Sequence, residues 1–173
     1  DGHKRGAKNV EKLIDWCIEL GVKELTLYTF STENFNRPKK EVDYLMNNFF
    51  NNIKKIKNDK KTMKKDIRIN FIGRLTLFPN NIQKEMMEVM KKTKGNRKLT
   101  VNLAMGYGGR TEIVDAVQRI VEKGIKNIDE KMVLDNLYLN SEPDLVIRPG
   151  GEFRISNFLL WQSAYSEWYF TNK

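Results

Sequence analysis

Cysteine and histidine are almost missing from this sequence, which has one of each in 173 residues. The single cysteine, Cys17, cannot close an internal disulfide, and its apolar neighbours favour a small core residue over a nucleophile. One cysteine and one histidine cannot supply the ligands of a zinc site. No Ser-His-Asp arrangement can be argued either. A chain without an internal disulfide fits a reducing compartment, so we expect a cytoplasmic protein.

Long apolar runs are missing too, since no stretch approaches the roughly 20 residues that cross a bilayer. Positive charge is in excess, with 31 lysines and arginines against 22 acidic residues and a net charge of +9. This excess favours anionic partners: nucleic acid, a membrane surface or phosphorylated small molecules. No RNP, helix-turn-helix or zinc-finger pattern accompanies the charge, so nucleic-acid binding is the weakest alternative and we expect no such partner.

Segments with strand and helix periodicity alternate along the chain. Strand patterns cover residues 23–30, 66–73, 98–105, 144–148 and 167–171, and helical patterns cover 10–17, 42–56, 80–94, 111–123, 130–139 and 157–165. This order is typical of a parallel sheet with helices on its faces. We therefore predict an α/β fold: a single domain with one core and a mostly parallel β-sheet flanked by helices.

One segment is strongly biased in composition, the run KKIKNDKKTMKK at residues 54–65, which has seven lysines in twelve residues. The interpretation we favour is a solvated helix end followed by a loop. The alternative is a peripheral contact with anionic lipid, which contributes about 1 kcal/mol per lysine near such a surface.

Polar residues collect where the predicted strands end. Four strands run into the loops STENFNR, GRLT, GYGGR and RPGGEFRIS. In open parallel sheets, ligands bind outside the carboxyl ends of the strands, so we predict the ligand site at this edge. GYGGR lacks the Lys-Ser/Thr of a Walker loop and is not a GxGxxG fingerprint, which favours a tight turn into the next helix.

The loop RPGGEFRIS, residues 148–156, is the strongest candidate for an anion site. Its two glycines allow a ligand to approach the backbone closely. Ile155 and Ser156 are predicted to open a helix whose first N–H groups are electropositive, and the two arginines of the loop flank that start. Together these groups suit a phosphate or diphosphate. The alternative is a turn and helix cap, with the arginines paired to acids such as Glu152.

Two further polar residues lie next to predicted cationic groups. Glu167 starts the last strand, and a carboxylate there either pairs with an arginine or holds Mg²⁺ together with substrate phosphates; the two interpretations are equally supported. His3 precedes the first helix beside Lys4 and Arg5. It is predicted to be a cap or a surface group, with an anion contact as the alternative.

Two long motifs together resemble one family. LTLYTFSTENFNRP and DLVIRPGGEFRISNFLLWQSAYSEWYF closely resemble the cis-prenyltransferase family, of the undecaprenyl diphosphate synthase type. GHKRGAK and VNLAMGYGGRTEIVDAV resemble it too, so the similarity covers residues 2–170. The resemblance implies a parallel-sheet α/β fold, a homodimer and Mg²⁺-dependent cis condensation of isopentenyl diphosphate onto an allylic diphosphate. That primer is farnesyl or geranylgeranyl diphosphate, and the product is a long-chain polyprenyl diphosphate.

The resemblance also implies roles for individual residues. Asn34 would be the catalytic residue that assists proton removal, and Glu167 would be a metal ligand. The implied substrate-binding residues are His3, Ser31, Thr32, Glu33, Phe35, Arg37, Arg148, Arg154, Ile155 and Ser156. An apolar groove for the growing product would use part of the 42–56 stripe, with Leu45 and Phe49 as its candidate lining residues.

The sequence departs from the family pattern in several places. The Asp-Gly-Asn loop, with its metal-binding aspartate, and the last basic segment are absent, so we expect residues 1–173 to be one cis-prenyltransferase domain without them and the full-length protein to be active. Phe35 replaces a tryptophan, and Phe153 replaces a histidine near the metal. The alternative is a non-catalytic partner subunit of a heteromeric synthase, although Ser31, Glu33 and Asn34 are retained.

Overall fold

The computed structural model of the chain describes residues 2–172, including the side chains of all of these except residues 2–8 and 61. Two short 3-10 helices follow strands, at Thr32–Asn36 and Leu75–Leu77. The α-helices are α1 Gly2–Glu19, α2 Lys39–Asn58, α3 Lys60–Lys64, α4 Asn80–Thr93, α5 Gly109–Glu122 and α6 Glu130–Asp135. The strands are β1 Glu24–Ser31, β2 Ile67–Ile72, β3 Leu99–Tyr107, β4 Leu145–Pro149 and β5 Glu167–Thr171.

All strand pairs in the described part of the chain are parallel, as predicted. The first three strands form one sheet in the order β1-β3-β2, in which Val101 of the central strand lies opposite Leu25 and Ile69. The last two form a second sheet, with Val146 opposite Trp168. Parallel strands need crossover connections. Helices α2 to α4 supply them in the first sheet, and the turns between residues 150 and 166 join β4 to β5. The α/β class with mostly parallel sheets and flanking helices is confirmed.

The described residues form two hydrophobic clusters rather than the single core that we predicted. Successive side chains of a strand point to opposite faces of its sheet. Val101 and Met105 of β3 accordingly join the larger cluster, whereas Ala104 joins the smaller one. Each face therefore carries its own apolar layer, and β3 is covered on both sides.

Helix α2 follows its predicted apolar stripe. Met46 and Ile53 are buried, and the other apolar residues of the stripe pack partly buried against the larger cluster. The helix lies against α4, and Lys57 Nζ donates to Glu88 Oε2 at 2.8 Å between them. Cys17 is buried as predicted, and burial raises the pKa of its thiol. No helix among the described residues is long and apolar enough to cross a bilayer.

The helix predicted at residues 157–165 is wrong. The chain makes successive turns there, and Ser156, Asn157 and Leu159 have φ angles of 52°, 63° and 44°. Residues with positive φ interrupt a right-handed helix. The electropositive helix start expected at Ile155 and Ser156 therefore does not form. Helix α6 is also shorter than predicted, since it ends at Asp135.

Candidate functional site

A cavity of about 410 Å³ lies beside the carboxyl end of β1. It is lined by Tyr28, Ser31, Glu33, Ser156 and Asn157. The first three come from β1 and the 3-10 helix after it, and the last two come from the turns after β4. The fold therefore brings together the loop residues 31–37 and 148–157, which we call the first loop and the second loop. This is the edge of the sheet at which the ligand site was predicted.

The first loop is organised by its own polar residues. Asn34 Oδ1 accepts a hydrogen bond from the backbone N–H of Ser31 at 2.9 Å, which ties the 3-10 helix to the end of β1. This bond orients the Asn34 amide, the group that the resemblance assigns to proton removal. Phe35 points into an aromatic cluster, with ring centroids 4.9 Å from Phe30 and 5.3 Å from Phe78.

Glu33 contributes a negative charge to the cavity. Burial raises the pKa of its carboxyl group, but hydrogen bonds from its own backbone and from neighbouring side chains outweigh burial and lower it. The donors include Asn157 Nδ2 at 3.1 Å and the Thr32 hydroxyl at 3.2 Å. Glu33 is therefore ionised at neutral pH, and a bound diphosphate requires cations nearby to offset this charge.

Arg148 is a cationic residue that hydrogen-bonds to a side chain of the cavity lining, Ser156. Its Nη1 donates to Ser156 Oγ at 2.7 Å and to the backbone carbonyl of Arg154 at 2.5 Å, so its side chain crosses the second loop. Guanidinium carries five N–H donors. The Nε and Nη2 groups of Arg148 hydrogen-bond to no other residue within the described range, which leaves them able to hold an anionic ligand.

A third loop joins the site through Asn157. Asn157 Oδ1 accepts from the Arg110 backbone N–H at 2.9 Å, and its carbonyl accepts from the Gly109 N–H at 2.7 Å. A Cβ at Gly108 would lie 2.8 Å from both Asn157 Nδ2 and Thr32 Oγ1, so any larger residue would displace these two side chains. GYGGR thus turns into α5 as predicted, and it also packs against both loops.

Several predicted site residues contact other groups instead of lining the cavity. Arg37 pairs with Glu41 at 2.5 Å on the surface, and Arg154 pairs with Glu152 at 2.9 Å, the alternative that the sequence left open. Ile155 is exposed. Glu167 lies at the amino end of β5, opposite Leu145 in the register and three positions before the level of Arg148. The predicted role of His3 concerns a side chain outside the described residues.

A buried network that sequence reasoning missed supports the turns that follow the second loop. The Glu112 carboxylate, 1% exposed, accepts from the Tyr107 hydroxyl, from Gln162 Nε2 at 3.1 Å and from the backbone N–H of Tyr138 at 2.8 Å. Burial and the adjacent Glu112 raise the pKa of Tyr107. Glu112 lies within a helical pattern of ordinary amphipathic type, and no sequence signal marks it as buried.

Tyr28 and Arg74 were also missed. Tyr28 lines the cavity and stacks on Phe158, with ring centroids 4.7 Å apart; burial and Glu33 raise its pKa to about 12. Arg74 is bound by Asp115 through two hydrogen bonds of 2.9 and 2.6 Å. These bonds outweigh the opposing effect of burial and lower the pKa of the Asp115 carboxyl. In sequence, Tyr28 looks like an ordinary core aromatic of a strand. Nothing in the sequence therefore indicated that it lines the cavity.

The metal prediction has limited support within the described residues. They include no group of three or more histidine, cysteine or acidic side chains that could hold an ion. Glu33 is the one carboxylate among the described residues that line the cavity. Glu167 is a separate carboxylate at the amino end of β5. These residues do not form a complete protein metal centre, and Mg²⁺ would depend on diphosphate oxygens and waters for most of its ligands.

Fold and site together define an α/β protein with a polar cavity at a sheet edge, beside Arg148. The family model described as putative undecaprenyl diphosphate synthase matches residues 1–173, so the chain belongs to that family and the resemblance is confirmed.

Named relatives agree with this assignment. An isoprenyl transferase of Fusobacterium nucleatum is 51% identical, over 99% of this chain and 74% of the relative. A geranylgeranyl-diphosphate-specific tritrans,polycis-undecaprenyl-diphosphate synthase of Methanocaldococcus jannaschii is 44% identical, over 98% and 64%. The crystal structure of a probable undecaprenyl diphosphate synthase from Campylobacter jejuni superposes with a TM-score of 0.89 at 38% identity, over 98% and 81%.

Proposed function

We propose that the protein containing this chain is a cis-prenyl chain-elongating transferase, which condenses isopentenyl diphosphate onto an allylic diphosphate. The observation that carries the proposal is the cavity between the first and second loops, in a chain of this family. The primer is farnesyl or geranylgeranyl diphosphate, the latter supported by the specificity named for the Methanocaldococcus relative. The product is a long-chain polyprenyl diphosphate.

Two residues bonded to the cavity lining suit this reaction. In the condensation the C–O bond to the allylic diphosphate breaks, a carbon–carbon bond forms to isopentenyl diphosphate, and a proton is lost. Arg148, beside Ser156, supplies charged donors for a diphosphate. Asn34 Oδ1 bonds to Ser31 and keeps a second lone pair, with which it can accept a hydrogen bond near the reacting carbon.

The prenyl chain needs an apolar channel beside this cavity. A second cavity of about 430 Å³ lies between α2 and the start of α4. Its apolar lining is Met46, Phe50, Pro79 and Ile82, and the polar Asp43, Asn47 and Asn81 line it too. Leu45 and Phe49 are partly buried near it in the larger cluster. We propose that the chain extends into this region as it grows, since burial of each added methylene contributes about 0.8 kcal/mol.

The proposed function is tested with the full-length protein, labelled isopentenyl diphosphate, Mg²⁺ and allylic primers of different length. We expect label in products that lengthen by five carbons per cycle. We expect no labelled product when the allylic primer is left out. A preparation that incorporates no label with any primer would remove the enzyme proposal. Replacing Asn34 with alanine is the matched control, since it should lower kcat and leave the folded structure intact.

We propose Mg²⁺ as the cofactor, with Glu167 as its protein ligand, on the basis of the family resemblance. Because the described residues do not form a complete metal centre, the ion would bind mainly through the diphosphates. Glu167→Gln should then raise the Mg²⁺ concentration needed for half-maximal rate. If Glu167→Gln needs the same Mg²⁺ concentration as the wild type, Glu167 is not a metal ligand. If the wild type is fully active without Mg²⁺, the cofactor proposal is wrong.

We propose a homodimer, because an apolar face of the β4–β5 sheet is uncovered. Ile147 and Tyr169 are register partners on that face and are each 58% exposed, and Leu145 lies beside them. Uncovered contiguous apolar surface marks an interaction site. Sedimentation should give a dimer for the wild type and a monomer for Ile147→Glu, whereas Val114→Glu, on the exposed face of α5, should stay dimeric. A dimeric Ile147→Glu would place the interface elsewhere.

We propose that the lysine-rich end of the molecule contacts anionic membrane. Helices α2 and α4 both end where strands β2 and β3 begin, so their last turns lie at the sheet edge opposite the cavity. Exposed lysines gather there, namely Lys54, Lys55, Lys60, Lys64, Lys91, Lys92 and Lys94. Flotation with phosphatidylglycerol vesicles should weaken for Lys54→Glu with Lys55→Glu, and not for Lys39→Glu with Lys40→Glu. Equal binding by both pairs would refute the contact.

A further inference from the structure

Asn157 is the residue at which the three loops around the cavity meet. Its side chain bonds to the first loop through Glu33 and to α5 through the Arg110 N–H, while its own backbone belongs to the second loop. Its carbonyl adds a third bond, to the Gly109 N–H. No other residue in the described range hydrogen-bonds through its side chain to both the first loop and the start of α5.

The chemistry of these contacts requires an amide. Oδ1 must accept from a backbone N–H, and Nδ2 must donate to the Glu33 carboxylate. Asparagine offers an acceptor and a donor on one short side chain, whereas aspartate offers only acceptors when it is ionised. Asparagine also tolerates the φ of 63° that the turn imposes at this position better than most residues do.

We propose that Asn157 is a positioning residue, which holds the first loop in register with the second loop so that the reacting carbons of the two substrates meet in a productive geometry. This inference rests on the proposed function, because it assigns the allylic substrate to the first loop and isopentenyl diphosphate to the second. A small displacement between two reacting groups lowers rate steeply, so the effect of the residue is on kcat.

The test compares Asn157→Asp with Asn157→Gly in the full-length protein. The glycine variant keeps the backbone conformation and loses both side-chain bonds. The aspartate variant keeps the acceptor, but its ionised form faces Glu33 and repels it. When protonated, the new aspartic acid can donate to Glu33 again. The neighbouring Glu33 carboxylate should raise the pKa of the introduced group, so that it can be protonated at a pH at which the protein is still folded.

Among the described residues, three charged or titratable groups lie around Asn157. Glu33 faces it from the first loop, Tyr28 lines the same cavity, and Arg148 reaches the adjacent Ser156. In the wild type the pKa of Glu33 is lowered, partly by the Asn157 hydrogen bond, and that of Tyr28 is raised to about 12, so neither changes charge near neutral pH. The aspartate variant loses that hydrogen bond, so its pH dependence reports the introduced carboxyl group and Glu33 as a coupled pair.

We expect kcat of Asn157→Asp to be about tenfold below wild type at about pH 8.5, and the ratio to wild type to rise toward one at about pH 5.5. The ratio for Asn157→Gly should be lowered and independent of pH. Asn58→Asp, at the exposed end of α2, is the charge control and should match wild type throughout. Circular dichroism establishes that each variant is folded at every pH used.

Four results distinguish the role of Asn157 from the proposed function. A pH-independent ratio for Asn157→Asp, with active wild type, would overturn the positioning role and leave the proposed function intact. A fully active Asn157→Gly would overturn it too, since the side-chain bonds would then be dispensable. Inactive wild type with every primer would instead remove the proposed function. Recovery of the aspartate variant at low pH is the result that supports Asn157.

Discussion

The two loops that meet at the cavity are held in place by different means. The first loop is stabilised by near neighbours, through Asn34 to Ser31 and Arg37 to Glu41. The second loop has local bonds too, from Arg148 to Ser156, but it also depends on a residue far away in sequence, through Asn157 to Glu33, 124 positions apart. The Glu112 network supports its continuation from a third region of the chain. Local hydrogen bonds thus shape both loops, and long-range contacts are concentrated on the second loop and its continuation.

The largest effect is expected where the turns after the second loop lose their buried support. Glu112→Ala leaves the Tyr107 hydroxyl and the Tyr138 N–H without their acceptor inside the protein. The Gln162 amide keeps only the Leu139 carbonyl. We expect the free energy of unfolding to fall by about 3 kcal/mol, since each unpaired buried group costs about 1–3 kcal/mol. Urea denaturation measures the change. Glu122→Ala, exposed at the end of the same helix, should stay within about 0.5 kcal/mol.

A comparable loss for both glutamates would mean that the buried network adds nothing specific to the second loop. The contrast between the loops would then need another explanation, such as the backbone conformation alone.

The next effect separates binding at the second loop from binding at the first. Arg148→Ala removes the charged donors beside Ser156, so the KM for isopentenyl diphosphate should rise about tenfold to thirtyfold. The KM for the allylic primer should change less. Steady-state kinetics with each substrate varied in turn measures both values, and Arg148→Lys should fall between wild type and alanine. If the KM for isopentenyl diphosphate does not move, Arg148 lies outside the substrate site.

A smaller effect is expected for acid stability. Arg74 lowers the pKa of Asp115, whose ordinary value is 3.8, so the ion pair stabilises the fold above that value. The stabilisation is lost as pH falls from about 4 through the lowered pKa, because the protonated carboxyl no longer pairs. Asp115→Asn should flatten the dependence of stability on pH in this range. A wild-type slope in that variant would assign the acid lability to other carboxylates.

The smallest effect tests the first loop directly. Arg37 pairs with Glu41 on the surface, and surface pairs contribute about 0–1 kcal/mol. Arg37→Ala should therefore change the free energy of unfolding by about 0.5 kcal/mol or less, and should raise the KM for either substrate less than Arg148→Ala does. A larger increase for Arg37→Ala would show that this arginine leaves Glu41 to bind diphosphate, as the resemblance implies.

The order of strands and of the longer helices could be predicted from periodicity, because each segment buries one face whatever its partners are. Helix α2 shows this, with Met46 and Ile53 buried where the stripe placed them. The helix at residues 157–165 could not be excluded in the same way, since its apolar residues satisfy helical spacing. The positive φ of Asn157 and Leu159 becomes favourable only when their long-range contacts form.

The candidate site was predicted in part, from the polar residues that follow the strands. Ser31, Glu33 and Ser156 line the cavity as the strand-end rule suggested, because parallel strands deliver their exit loops to one edge. Arg154 carries the same charge as Arg148, and sequence could not tell that Glu152 would pair with it. Tyr28, Asn157 and Glu112 carry no local signal, since their roles depend on the groups they face across the fold.

By itself, the sequence determined the α/β class, the family and the polar character of each exit loop, because these follow from short-range spacing and from side-chain chemistry. Only the tertiary structure decided which arginine lies beside the cavity and that an asparagine joins three loops. Those outcomes depend on contacts between residues such as Glu33 and Asn157, which are 124 positions apart along the chain and become neighbours only in the folded structure.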